Sequence, residues 1–390
     1  MVAYFFPDSN FSAPKLGQTH AERQFPNIKL KSGGRKRFRK KSIFVCYLEQ
    51  QMSKHTVTIK ELAQRLNVSI ATVSRALRNA GEVNRETREK VIRLATELHY
   101  SPNYFAQSLV KQQTRIIGVV VPTIYSHYFS QALCGMTDVA NEHDYYLMFC
   151  QSNETSELER KSMEKLLACH VDGLLISISK ETKDRSVFDE VLSNGIPIVQ
   201  FDRILAGLPV TRVIVDEFEG AFKAVEHLIR SGCRHIAHFS GPFELSVSIN
   251  RMNGYLEALK KHKIPVEERL IIPCNSFEDD AQAATKKLMR LKKLPDGLFA
   301  INDLSAIAAL QYLKKHGIRV PQDIKVVGFN DDPASRLIDP TLTTVMQPGY
   351  EVGKLAIGVL IDEIKNKKNK NQVFKLRTKL ISRESTRNLA

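Results

Sequence analysis

"VTIKELAQRLNVSIATVSRALRN", Val57–Asn79, sets two short helical patterns around one tight turn, and the reading of the whole chain depends on it. Ile59, Leu62, Ala63 and Leu66 share one helical face, and Val73, Ala76 and Leu77 share another. The small Ala63 lets two helices approach closely. Leu66, Asn67 and Val68 form the turn, with Asn67 able to take the left-handed conformation usually given to glycine. Ser69 is placed to cap a second helix over Ile70–Arg78. With Val73 and Ala76 inward, that helix presents Ile70, Ala71, Arg75 and Arg78 outward, together with the hydroxyls of Ser69, Thr72 and Ser74. Hydroxyls and a helix N-terminus suit phosphate oxygens, and an arginine such as Arg75 can pair bidentately with a guanine edge. A purely structural helical hairpin would share part of this pattern. A third helix is expected over about Arg85–His99, with Asn84 as its N-cap and Val91, Ile92, Ala95 and Leu98 inward.

The chain of 390 residues carries a formal charge of +15, and the excess is local. Residues 1–55 hold 11 Lys/Arg against 3 Asp/Glu, and residues 56–115 hold 10 against 5. The remaining 275 residues are close to balanced, so a polyanion would meet the first third. Residues 1–55 have no sustained period and read as a disordered basic extension, in which "RKRFRKK" by itself could be only a solvated tail. No apolar run approaches the roughly 20 residues of a membrane span, and the N-terminus lacks the pattern of a signal peptide. The 6 cysteines are scattered with no C-x-x-C pair, which suits reduced thiols in the cytoplasm better than disulfides or zinc.

After Arg115 the rhythm changes. "IIGVVVP", "YYLMFCQ", "VDGLLISI", "IPIVQFD", "RVIVD", "HIAHFSGP", "RLIIP", "GLFAIND" and "IKVVGFND" are apolar strand patterns that alternate with amphipathic helices. Such alternation predicts parallel sheets covered on both faces. The units exceed one sheet, so the expectation is two doubly wound lobes with a cleft between them, over 116–390. Lobe 1 is expected over about 116–214 and 344–372, and lobe 2 over about 215–343 and 373–390, with "VFKLRTKLISR" as one last strand. Ligands of such folds sit beyond the carboxyl ends of the strands. Tyr128, Phe129, Asp202, Arg203, Asn302 and Asn330 lie at such ends, and Arg251 opens the helix after "HFSGPFELSVSIN". Taken singly, Tyr128 and Phe129 also read as core aromatics, and Asp202, Asn302 and Asp331 as caps or turn residues.

"TIKELAQRLNVSIATVSRALRN", "YSPNYFAQSL" and "VVGFNDDPASRLIDPTLTTVMQP" together resemble the lactose/galactose-repressor (LacI/GalR) family of transcription regulators, from Val57 to about Arg383. The resemblance implies an all-α helix-turn-helix headpiece over 56–102, a hinge helix and linker over 103–115, and a two-lobed core like that of periplasmic binding proteins. It implies base-reading roles for Ile70, Ala71 and Arg75 and phosphate contacts at Ser69, Thr72 and Ser74. It also implies that Leu109 wedges into the minor groove, with Asn103, Ala106 and Gln107 as its neighbours there. An apolar wedge of this kind unstacks a base step and kinks the duplex. Ile70 and Ala71 offer no hydrogen bonds, which leaves Arg75 with most of the polar readout. In the core, the resemblance implies that Arg251 contacts an effector. Asn330 stands where the family has an aspartate, which weakens a charge-assisted contact there.

The function these readings imply is that of a repressor, homodimeric and bound to a pseudo-palindromic DNA operator. A sugar, related polar metabolite or nucleobase would control its affinity, inducing or corepressing, with no cofactor. A ligand-binding protein without a DNA role is the alternative. There is no H-E-x-x-H, G-x-S-x-G or phosphate-loop motif, so neither catalytic nor metal-binding residues are expected. The family headpiece opens the chain, whereas here Met52 stands just before it. Residues 1–51 are therefore expected to arise from a mis-chosen start codon, with a genuine basic arm as the other possibility.

Overall fold

A computed structural model describes residues 57–77, 83–100, 113–275, 278–367 and 370–387. The chain divides into two compact units between Pro102 and Asn103.

The described residues of the first unit form a bundle of α1 (Ile59–Leu66), α2 (Ile70–Leu77) and α3 (Arg85–Glu97). Thr58 caps α1 by accepting from the Glu61 amide, and Asn84 caps α3 by accepting from the Glu86 amide. Asn67 ends α1 in the left-handed region, at φ 51°, and the Val68 amide donates back to the Ala63 carbonyl. Leu62, Ala63, Val73, Ala76, Val91 and Ala95 form the core. Ile92, expected inward, is 43% exposed. The buried face of α3 follows Val91 and Ala95 with Leu94 and Leu98 at its flanks, and a step of 100° from Val91 carries Ile92 off it.

The second unit opens with β1 (Ile116–Val121), α4 (His127–Glu142), β2 (Tyr146–Gln151), α5 (Ser156–Ala168), β3 (Gly173–Ile176), α6 (Ser186–Ser193), β4 (Ile198–Phe201) and β5 (Thr211–Val215). It continues through α7 (Glu217–Arg230), β6 (Ile236–Ser240), α8 (Ser246–Lys261), β7 (Ile271–Pro273), α9 (Glu278–Met289), β8 (Gly297–Ala300), α10 (Asp303–Lys315) and β9 (Lys325–Val327). It closes with β10 (Thr344–Met346), α11 (Gly349–Asn366), β11 (Val373–Leu376) and β12 (Lys379–Ile381).

Two parallel sheets result, in the orders β11-β5-β4-β3-β1-β2 and β7-β6-β8-β9. This is the expected pair of doubly wound lobes, but the chain divides between them differently at its end. "VFKLRTKLISR" is two strands: β11 pairs in parallel with β5 in the first lobe, and β12 pairs antiparallel with β10. β10 lies against the end of β9, with bridges Val327–Thr343 and Asn330–Met346, and Val345 is buried in the second lobe's core. Thr344–Met346 therefore belongs to lobe 2 and Val373–Leu376 to lobe 1, the reverse of the expected division. Pairing partners far away in sequence decided this, and no local pattern encodes them. Helix α11 returns to lobe 1 and crosses α4 closely. A Cβ on Gly135 would stand 2.1 Å from the Tyr350 carbonyl oxygen, and one on Gly353 1.9 Å from that of Ala132.

The chain thus passes between lobes three times: after β5, at Gln347–Pro348, and between β11 and β12. Among the described residues no helix is long and apolar enough to cross a membrane, and no group of His, Cys, Asp and Glu is arranged to hold a metal ion.

Candidate functional site

Helix α2 is held from below and left open above. Val73 and Ala76 are buried, whereas Ile70 is 48% exposed and Ala71 and Arg75 are exposed with it. Ser69 caps the helix: its Oγ accepts from the Thr72 amide at 3.0 Å and lies 2.8 Å from the Thr72 hydroxyl. The two hydroxyls and the helix N-terminus form one polar cluster, a geometry suited to a phosphate. Ser74 is partly buried at the edge of the same helix. No acidic residue lies on α2, and the carboxylates of the neighbouring helices are engaged within those helices: Glu61 with Arg65, Glu86 with Lys90, Glu89 with Arg85 and Glu97 with Arg93. Among the described residues these four carboxylates are thus each engaged within their own helix. Arg78, Asn103, Ala106, Gln107 and Leu109 lie outside the described residues, as do residues 1–56 and most of the expected hinge.

The second site lies in the core unit, where the carboxyl ends of both sheets meet the crossovers. Arg251, expected to open a helix, sits in the second turn of α8, buried over the Phe329 ring with its guanidinium carbon 3.8 Å from the ring centre. Its Nε donates to Glu217 Oε2 at 2.7 Å and its Nη1 to the Ile301 carbonyl at 2.5 Å. The other oxygen of Glu217 accepts from Gln347 Nε2 at 2.7 Å. Sequence reasoning passed over Glu217 and Gln347. The first reads as an ordinary acid in the first turn of a helix, and the second as a residue before a proline; only folding sets both at crossovers facing Arg251.

On the lobe 1 side, Tyr128 lies in the first turn of α4 and is 5% exposed. Its hydroxyl is buried and makes no hydrogen bond of normal geometry. Burial first, and then the Asp202 and Glu217 carboxylates, push its pKa well above the usual phenol range. Asp202 follows β4 with a left-handed backbone, φ 59°, and is buried, its carboxylate beside the Tyr128 hydroxyl, 3.4 Å from Ser177 Oγ and 3.9 Å from Arg203 Nε. Burial raises its carboxyl to about 6, against the lowering effect of Arg203. Further orphaned polar atoms lie in lobe 2: Ser240 Oγ at the end of β6, Ser248 Oγ in the first turn of α8 and Asn330 Oδ1 after β9 are all buried without a partner. Asn330 holds φ at 113°, a backbone that few side chains adopt. Buried polar groups are normally paired, so unpaired ones gathered at the strand ends mark a place for a polar ligand.

Three of the expected residues have other roles. Phe129 is 3% exposed in the lobe 1 core, edge-on to Tyr128 and Phe201, which leaves no face for a ligand to stack on. Arg203 donates to both oxygens of Glu154 at 2.8 Å and leans over the Phe129 ring. Asn302 caps α10 by accepting from the Ser305 amide. Asp331 is bound by Arg383 and Arg336. A surface recess of about 390 Å3 lined by Lys314, Arg319, Asp339 and Glu384 is separate from this site, and its lysine and arginine are paired with Asp339 and Asp323.

A two-lobed α/β core with unsatisfied polar atoms at its strand ends, carried behind a helix-turn-helix bundle, defines a ligand-responsive transcription regulator rather than an enzyme. The comparisons agree. Residues 58–103 match the model of bacterial regulatory proteins of the lacI family, and residues 225–386 match a periplasmic binding protein-like domain. The ribose operon repressor of Bacillus subtilis is 34% identical over 331 residues, covering 85% of this chain and 98% of that protein. The ribose operon repressor of Halalkalibacterium halodurans is 32% identical, covering 85% and 97%. Among solved structures, the lac repressor dimer bound to operator and the anti-inducer ONPF superposes with a TM-score of 0.76 at 26% identity, covering 85% of this chain and 99% of that one. The chain belongs to the LacI family of bacterial transcription regulators. The alternative of a binding protein without a DNA role is set aside by the matched headpiece.

Proposed function

We propose that this protein is a cytoplasmic homodimeric repressor that reads a pseudo-palindromic operator with α2 of each headpiece. In this reading Arg75 contacts a base edge, Ile70 and Ala71 offer apolar contacts such as to a thymine methyl, and Ser69, Thr72 and Ser74 meet phosphates. Arg78, Asn103, Ala106, Gln107 and Leu109 extend the contact, Leu109 as a minor-groove wedge. The relatives named as ribose operon repressors and the neighbour solved with its operator support this reading. The exposed Tyr146 and Phe149 on edge strand β2 suit pairing with a second copy.

The control site is the space bordered by Tyr128, Asp202, Arg251 and Asn330, with Phe129, Arg203 and Asn302 behind or beside it as supports. The observation that carries the proposal is the Glu217–Gln347 bond, which joins two of the three crossovers and is held by Arg251. A ligand that reorganises Arg251 would act on the segments about which the lobes turn, and so bias lobe orientation and DNA affinity. The ligand is a sugar or a related polar metabolite.

Random-site selection with the full chain tests the DNA reading, and an enriched two-fold motif is the expected result. Equal affinity for all sequences would reject it. Titrating the selected duplex complex with a library of sugars tests control, the expected result being a change in affinity with at least one of them.

A further inference from the structure

We propose that Glu217 makes the cleft refuse anions, so that the effector is a polyhydroxylated molecule that is neutral or carries an amine. Sugar acids and phosphate esters are excluded. This rests on the cleft being the effector site. Both arginines that reach it are already matched by carboxylates of the protein: Arg251 by Glu217 at 2.7 Å, and Arg203 by Glu154 at 2.8 Å. Asp202 adds a third carboxylate whose ion pair is a long 3.9 Å contact to the already matched Arg203, so the site carries more negative charge than positive.

A ligand acid could reach Arg251 as an ion pair only by displacing Glu217. Glu217 is 4% exposed at the start of α7, its second oxygen held by Gln347. Displacement would leave a buried, unpaired carboxylate, and like charges forced together in a desolvated site strongly disfavour binding. The groups left unfilled ask for the opposite chemistry. Asn330 Oδ1 is an acceptor without a donor, the Asp202 carboxylate is held by Ser177 Oγ only at 3.4 Å, and the Tyr128 hydroxyl can donate or accept a hydrogen bond. Ligand hydroxyls, or an ammonium group against Asp202, satisfy them.

The test is a calorimetric and thermal-shift panel on the full chain with D-ribose, a neutral hexose, a hexosamine, the matching sugar acids, the sugar phosphates and inorganic phosphate. A neutral or amine-bearing member should bind, and its acid or phosphate counterpart should bind on the order of 100-fold more weakly. Glu217→Gln, which removes the charge but keeps the shape, should gain saturable binding of inorganic phosphate; Glu217→Asp, which keeps the charge, should not. An acid or phosphate ester that binds the wild type as tightly as its neutral parent overturns the inference and leaves the effector site standing. Failure of every member to bind overturns both. If Glu217→Gln does not fold, the wild-type panel alone decides.

Discussion

Helix α2 and the interlobe cleft are built in opposite ways. On α2 the residues offered to a partner lie within seven positions of one another, are exposed, and stand on a helix whose buried face is satisfied. In the cleft the important side chains, Tyr128, Asp202, Glu217, Arg251, Asn330 and Gln347, are gathered from more than 200 positions of chain. There, buried polar atoms lack partners and two backbones are left-handed. An exposed surface can hold its groups hydrated until DNA arrives and displaces counterions. A buried site must keep its polar atoms ready at a standing cost in stability, and its ligand relieves that cost.

Mutations in the two places should therefore fail differently. The largest effect is expected from Arg251→Met, which leaves Glu217 buried without its cation and should cost about 3–5 kcal/mol in urea unfolding of the core. A loss below about 1 kcal/mol would show that the pair contributes no more than a surface ion pair. Arg75→Ala should leave unfolding of the core unchanged and weaken operator binding by about 1–3 kcal/mol, with specificity relaxed at one base pair. Uniform weakening across all sequences would make it a phosphate contact.

Asp202→Asn should do what no α2 mutation can, which is to stabilise the unliganded protein while abolishing ligand binding. The folded carboxyl titrates at about 6, above its unfolded value, so the folded state holds the proton more tightly. The contribution to stability is favourable at low pH and is lost as pH rises from about 4 to about 6. The variant should gain about 1–2 kcal/mol at pH 7.5 and nothing near pH 4. Buried His238 has the opposite slope: burial lowers it to about 4, so its contribution is lost as pH falls from about 6.5 to about 4. The pH profile of unfolding should steepen in that direction once Asp202 is removed. The smallest effect is expected at Ser69→Ala, which deletes the α2 cap and should cost the headpiece about 1 kcal/mol in thermal unfolding.

These contrasts also explain what could be read in advance. Caps, turn and buried face of the headpiece follow from spacing within a dozen residues, and Asn67, Ser69 and Asn84 do what their chemistry suggests. Ile92 is the exception, because the edge of a helical stripe depends on what packs against it. In the core the alternation of apolar strands and helices was legible. The last two strands were not, since a short β-segment has no local signal for which sheet it joins.

By itself, then, the sequence determined the headpiece, the α/β class and the two lobes, because these rest on local periodicity; it offered Tyr128, Asp202 and Asn330 as candidates from strand ends, and Arg251 from the family resemblance. Only the tertiary structure decided that Phe129 is core and that β11 and β12 part company. It alone brought Glu217 and Gln347 to Arg251, residues separated in sequence by 34 and 130 positions from Glu217. The physical reason is that ion pairs and strand pairings of this kind form between segments joined by no local geometry. They come into being when the chain crosses between the lobes.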